Sequence, residues 1–277
     1  MTGAQATRLS GNRLHLHHGP IDLILWAEGR GVAQAYQQAI ARFAPLLEEL
    51  VAELPSLRSP APGPLQGPIT RAMAAAVAPF RPAFITPMAA VAGAVADAVL
   101  AAMCHDTGLT RAYANNGGDI AVHLAPGQSL TAAMAGAGAS QLVLHHDHPA
   151  RGIATSGRGG RSFSRGIAES VTVVARTAAM ADAAATMIAN AVDLPGHPAI
   201  TRRPAHELQA ESDLGNILVT TGLGPLTQAE VALALDAGEA AARSYAAQGL
   251  IAGATLFLHS YNRTLGTLSL AKDRIYV

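Results

Sequence analysis

Hydrophobic and polar positions first alternate along this chain and then recur with helical spacing. Arg13 to Glu28 alternates on both sides of His18-Gly19-Pro20, which predicts two strands joined by a turn. Gly31 to Leu54 changes to helical periodicity, with Pro45 placed to kink or divide the helix. Residues 55–70 hold several prolines and read as a surface connection. Thr86-Pro87 is a helix start, a hydroxyl cap followed by proline at the first helical position, and the helix is expected to run to about Cys104. Strands are predicted at Ile120–Leu124, Gln141–Leu144 and Ser170–Ala175, the last β-branched and buried, and a short one at Asn216–Thr220. Thr177–Val192 reads as a helix. Thr227 with Glu230 forms a capping-box pattern opening a helix to about Gln248. Ala254–Ser260 and Thr267–Leu270, around Asn262-Arg263, suggest a closing hairpin.

Strands and helices mix without strict alternation, so the class is α+β (mixed α/β), with sheets packed by Ala-rich helices in a single domain over 1–277. Half of the 277 residues are apolar but only 4% are aromatic, so the core is built from Ala, Val, Leu and Ile. Basic and acidic residues number 19 each, a balance that offers no footprint for nucleic acid or an anionic membrane surface. The single cysteine, Cys104, excludes an internal disulfide or a thiolate zinc cluster within the chain. Ala83–Met103 is nearly all apolar, but an aspartate such as Asp97 in mid-span costs roughly 3 kcal/mol on insertion. A buried helix is the better account. With a polar stretch at Met1–Asn12 that lacks signal-peptide character, the expectation is a cytoplasmic protein.

Three stretches carry candidate chemistry. Asn115-Asn116-Gly117-Gly118-Asp119 combines a turn that can approach a ligand closely with a carboxylate at a strand entrance, although such pairs also make ordinary turns. Gly152 to Gly160, continuing to Ser162 and Ser164, reads as a loop with free N–H groups and hydroxyls suited to phosphate oxygens; linkers share this composition. Asp182 and Thr186 lie one helical turn apart on one face. One carboxylate and one hydroxyl suit magnesium, which keeps waters and takes further oxygens from phosphates; a solvated aspartate beside a backbone-bonded threonine is the plainer account.

Taken in order, Ile85-Thr86-Pro87-Met88-Ala89-Ala90-Val91-Ala92-Gly93-Ala94-Val95-Ala96-Asp97, Asn116-Gly117-Gly118-Asp119-Ile120, Ala154-Thr155-Ser156-Gly157, Ser170-Val171-Thr172-Val173-Val174-Ala175 and Ala181-Asp182-Ala183-Ala184-Ala185-Thr186 resemble the ApbE superfamily of flavin transferases. The match spans residues 85–192 and is nearest a short cytosolic branch of conserved hypothetical proteins. The resemblance implies an ApbE-like fold that binds FAD or FMN with Mg2+ and cleaves the pyrophosphate or transfers FMN to a threonine of a partner protein. It implies Asp182, Thr186 and the Ala154 carbonyl as metal ligands. It also implies Asp97, Asn116, Gly117, Gly118, Asp119, Thr155, Ser156, Gly157 and Ser162 around the flavin or nucleotide.

Two departures stand out. Ala92-Gly93 replaces the usual Lys-Gly, and Arg158–Glu169, where transferases carry a histidine that activates the acceptor, holds none, so no catalytic base is assigned. A non-catalytic flavin- or nucleotide-binding protein and a metabolic enzyme with another substrate stay open beside the transferase-like reading. The partner is a small-molecule nucleotide or flavin, with no nucleic acid and no membrane; the small-residue helix is compatible with a homodimer. His145-His146-Asp147-His148 is a further candidate, since alternate residues of a strand, His146 and His148, could share a transition metal, although a polar loop is the plainer account. Arg158, Arg161 and Arg165 could clamp phosphates or form a solvated basic loop.

Overall fold

The computed structural model describes residues 3–133 and 141–266. In chain order the elements are β1 (Gln5–Leu9), β2 (Arg13–His18), β3 (Ile21–Gly29), α1 (Val32–Phe43), α2 (Leu46–Ala52), α3 (Leu54–Leu57), α4 (Pro68–Val77), α5 (Val91–Cys104), β4 (Leu109–Asn116) and β5 (Asp119–Leu124). They continue with β6 (Ser129–Ala133), β7 (Gln141–His145), β8 (Gly152–Ser156), β9 (Ser170–Ala175), α6 (Ala178–Ala191), β10 (Ile200–Pro204), α7 (Ala205–Leu208), β11 (Leu218–Leu223), α8 (Gln228–Ala247), β12 (Gly253–Leu258) and β13 (Tyr261–Gly266). The architecture is α+β, antiparallel sheet backed by helices.

The chain divides into two compact units. The first holds the residues up to Leu130 with Leu144–Ala154 and Ala175–Asp182; the second holds Thr131–Val143, Thr155–Val174 and the chain from Ala183. In the first unit β1 to β5 pair antiparallel in sequence order, and Ile120 and Ala121 of β5 pair with Ile153 and Gly152 of β8. The alternation in β2 and β3 turns Leu14, Leu16, Leu23 and Leu25 inward, where the helices cover them. Apolar α5 lies on α1, β4 and β5 with Gly93, Ala94, Val95, Ala96, Val99, Leu100 and Met103 buried. Pro87–Cys104 is the one helical stretch among the described residues long and apolar enough to cross a membrane, and half of it is buried within the protein.

In the second unit β12 pairs antiparallel with β9 and β13, and α8 packs on β12 and β13. All six residues of β9 are buried, as are all six of β12. The Thr227–Glu230 capping box forms as its spacing predicts, and α8 runs to Ala247.

Several expectations need correction. The Thr86-Pro87 start opens a 3-10 turn, Pro87–Ala90, without a side-chain cap from Thr86, and the α-helix begins at Val91. The Pro-rich connection is shorter than expected, because Leu54–Leu57 and the helix from Pro68 fall within it. The strand expected at 216–220 is β11, Leu218–Leu223. In the last hairpin Asn262 and Arg263 sit inside β13, paired with Phe257 and Leu256, and the turn lies at His259-Ser260, where His259 takes a φ of 52°. The expected strand 267–270 lies outside the described residues. Periodicity also gave no sign of β1 or β4.

Candidate functional site

The site in the first unit starts from the β4–β5 hairpin. Asn116 pairs with Asp119 across a two-residue turn in which Gly117 and Gly118 have φ of 66° and 114°, values that a side chain would oppose. Asn115 Oδ1 accepts a 2.8 Å bond from the Gly118 N–H, and the buried Asn116 donates from Nδ2 to the Ala92 carbonyl at 3.2 Å. The hairpin is thereby tied to the first turn of α5, and Asp119 stands at the entrance of β5.

Two carboxylates join α5 to α6 reciprocally. Asp97 of α5 accepts from the first two N–H groups of α6, Ala178 at 3.0 Å and Ala179 at 2.9 Å. Asp182 of α6 accepts through Oδ2 from the Gly93 N–H in the first turn of α5, at 3.0 Å. Each helix start has N–H groups without an intrahelical partner and a positive dipole end, so each receives the group that best satisfies it. The close approach depends on glycine, since a Cβ at Gly93 would lie 2.2 Å from the Ala178 carbonyl oxygen.

Burial raises the Asp97 carboxyl above its ordinary value, against the pull of the Ala179 and Ala178 N–H groups and the Thr177 hydroxyl. Asp182 is held well above its ordinary value, by burial first and then by the negative charge of Asp119; the Gly93 and Ala92 N–H groups oppose this, and Asp97 adds to it. Asp182 as a residue is half-buried. Ionised Asp182 is thus disfavoured both by burial and by the negative charges of Asp119 and Asp97. Both Asp97 oxygens are taken by Ala178 and Ala179, which leaves Asp182 as the carboxylate of hard-oxygen character that a divalent ion such as Mg2+ would take. Among the described residues no three of His, Cys, Asp and Glu form a ready-made metal cage.

The remaining predicted residues are placed as follows. Ala154 is fully buried in β8 of the first unit. Thr186 is half-buried on α6, one turn beyond Asp182, and falls within the second unit. Thr155, Ser156, Gly157 and Ser162 also belong to the second unit. Thr155 and Ser156 are in strand β8 rather than in the expected loop, and the Thr155 hydroxyl lies 2.9 Å from that of Thr172 in β9. The turn that follows is a correction in a second sense. Three of its N–H groups are already bonded: Arg158 donates to Ala168 O at 2.8 Å, Gly159 to Glu169 O at 3.1 Å and Gly160 to Gly157 O at 3.1 Å.

Strand β7 ends at His145, so alternation cannot align His146 with His148. Instead His148 Nδ1 accepts from the Ala150 N–H at 3.2 Å, and Arg151 donates to the carbonyls of His146, His148 and Ala150, which gives this turn a structural role. Sequence reasoning placed Asp97, Asp119 and Asp182 around one ligand by resemblance and missed that Asp97 and Asp182 tie the starts of α6 and α5 together. The available signal was a lone carboxylate on each of two apolar, Ala-rich helices, since such a group requires a partner once buried.

Comparison with known proteins adds a family and a set of relatives. The model of a family described as "AbpE bacteria" matches residues 5–269. A UPF0280 protein of Methanothrix thermoacetophila is 39% identical over 129 residues, covering 45% of this chain and 52% of that protein. UPF0280 proteins of Methanopyrus kandleri and Methanospirillum hungatei are 35% identical over 134 residues (44% of this chain, 48% of the relative) and 36% over 151 (51% and 58%). The chain spans about half the length of the curated relatives it matches.

Proposed function

The chain belongs to the AbpE bacteria family, and we propose that it is an ApbE-like protein that binds a flavin nucleotide, FAD or FMN, with Mg2+ at Asp182 and cleaves or transfers it at the phosphate. The observation that supports this reading is Asp182 itself, fixed by the Gly93 N–H at 3.0 Å, its carboxyl raised well above its ordinary value by burial first and then by the charge of Asp119. A carboxylate held in that way gains most when a divalent cation arrives.

Asp182 is the principal ligand, and the ApbE resemblance adds the Ala154 carbonyl of the same unit. When bound, Mg2+ supplies charge neutralisation at the pyrophosphate oxygens. The chain's own groups position: Asp97 holds the start of α6, and Gly93 both donates to Asp182 and leaves room for α6. Gly118 keeps its side of the hairpin open, since a Cβ there would meet nothing within 4 Å.

A second reading, flavin binding without transfer, is favoured by one observation: Arg158–Glu169 contains no histidine to activate an acceptor. Incubation with FAD and Mg2+ followed by chromatography separates the two readings. FMN and AMP formed by the wild type and not by Asp182→Ala support cleavage. Intact FAD that binds in a metal-dependent way supports the second reading, and absence of FAD binding removes both.

A further inference from the structure

Between Asp147 and Glu169 the chain carries four arginines, Arg151, Arg158, Arg161 and Arg165, and no aspartate or glutamate, although its 19 basic and 19 acidic residues balance overall. Arg151, in the first unit, turns its guanidinium onto backbone carbonyls. Arg158 and Arg161, in the second unit, do the opposite. Both are exposed, and neither side chain makes a hydrogen bond or ion pair among the described residues. The next acid along the chain, Glu169, faces His259 at 3.6 Å.

The segment bearing them is held firmly at both ends. On one side the N–H groups of Arg158 and Gly159 bond to the carbonyls of Ala168 and Glu169. On the other, the Ser164 carbonyl accepts from the Thr220 N–H at 2.8 Å, the Arg165 N–H donates to Asn190 Oδ1 at 2.9 Å, and the Ile167 N–H donates to Val192 O at 2.8 Å. What projects between these anchors is Arg158, Arg161, the Ser162 hydroxyl and the exposed ring of Phe163. A pinned loop loses little backbone entropy when its side chains engage a ligand, and guanidinium forks match phosphate oxygens in pairs.

We propose that Arg158 and Arg161 form a clamp for a pyrophosphate-bearing ligand, so that side chains rather than the backbone N–H groups of this turn supply its anion contacts. Two positive charges three residues apart on one anchored loop favour the multiply charged pyrophosphate over a single phosphate. The inference rests on the reading of the protein as a binder of phosphate-bearing nucleotides and narrows the ligand to one with two linked phosphates.

Calorimetric titration with inorganic pyrophosphate and with inorganic phosphate, in low salt with a chelator present, tests the clamp apart from any metal or flavin. The wild type is expected to bind pyrophosphate more tightly than phosphate and to weaken as salt is raised. The Arg158→Gln/Arg161→Gln variant is expected to lose roughly tenfold in pyrophosphate affinity for each guanidinium removed, with an unchanged melting midpoint. Wild-type affinity retained in that variant, or a wild type that binds no pyrophosphate, overturns the clamp. FAD titrated with Mg2+ separates this from the wider reading. FAD held equally well by the double variant leaves the flavin reading standing without the clamp, whereas pyrophosphate binding without FAD binding leaves the clamp standing without the flavin.

Discussion

Replacing Gly93 with alanine tests the contact on which the first unit's site is built. The added methyl would lie 2.2 Å from the Ala178 carbonyl oxygen, 2.4 Å from its carbon and 2.6 Å from the Ala179 nitrogen. All three are backbone atoms, so no side-chain rotation relieves them. Restoring a contact of 3.4 Å or more requires the start of α6 to move by about 1 Å. The bonds of Ala178 and Ala179 to Asp97, now 3.0 and 2.9 Å, would then stretch beyond useful range. Overpacking of this kind costs about 1–3 kcal/mol, and loss of a helix cap adds about 1 kcal/mol. Alanine offsets about 1 kcal/mol through its better helix propensity. The expected net loss is about 2 kcal/mol, read as a lower urea midpoint by circular dichroism and by the fluorescence of Trp26, the one tryptophan. Gly63→Ala, where a Cβ meets nothing within 4 Å, is the control and should change little. A Gly93→Ala protein as stable as the wild type, or more so, would refute the close approach of α5 and α6 and the reciprocal capping that depends on it.

Three further outcomes are expected. A carboxyl raised by folding binds more protons in the folded than in the unfolded chain, so the contribution of Asp182 is full below its ordinary value of 3.8 and lost as pH rises through its higher folded value. Asp182→Asn should therefore melt higher than the wild type at neutral pH in the absence of divalent metal, with a shallower decline above pH 4; equal midpoints would show that no excess charge is stored there. Glu230 is lowered to about 2 by the Thr227 N–H first, then the His197 side chain and the Thr227 hydroxyl, so its contribution is complete above the ordinary 4.5 and lost as pH falls toward 2. Acid titration of the melting midpoint should show that loss in the wild type and a smaller one in Glu230→Gln. The Cys104 thiol is pushed up to about 11 by burial, so a disulfide reagent at pH 8 should label it slowly in the folded protein and rapidly in urea.

The sequence by itself determined those elements whose signals are local. Alternation marked β2 and β3, β-branching marked β9, and the Thr227–Glu230 spacing marked the start of α8, because pleat, crowding and capping each act within a few residues. The positive-φ turn at Gly117-Gly118 was legible for the same reason. Only the tertiary structure decided the rest. It made β8 a strand where glycine and hydroxyl residues suggested a loop, because pairing of Gly152 and Ile153 with β5 outweighs weak local propensity. It spent the N–H groups of Arg158, Gly159 and Gly160 on nearby carbonyls, and it brought Asp182 to Gly93, 89 positions away in the chain. Helical spacing can place a carboxylate on a face; which backbone then satisfies it depends on how two helices cross, and that crossing is set here by the space a missing side chain leaves at Gly93.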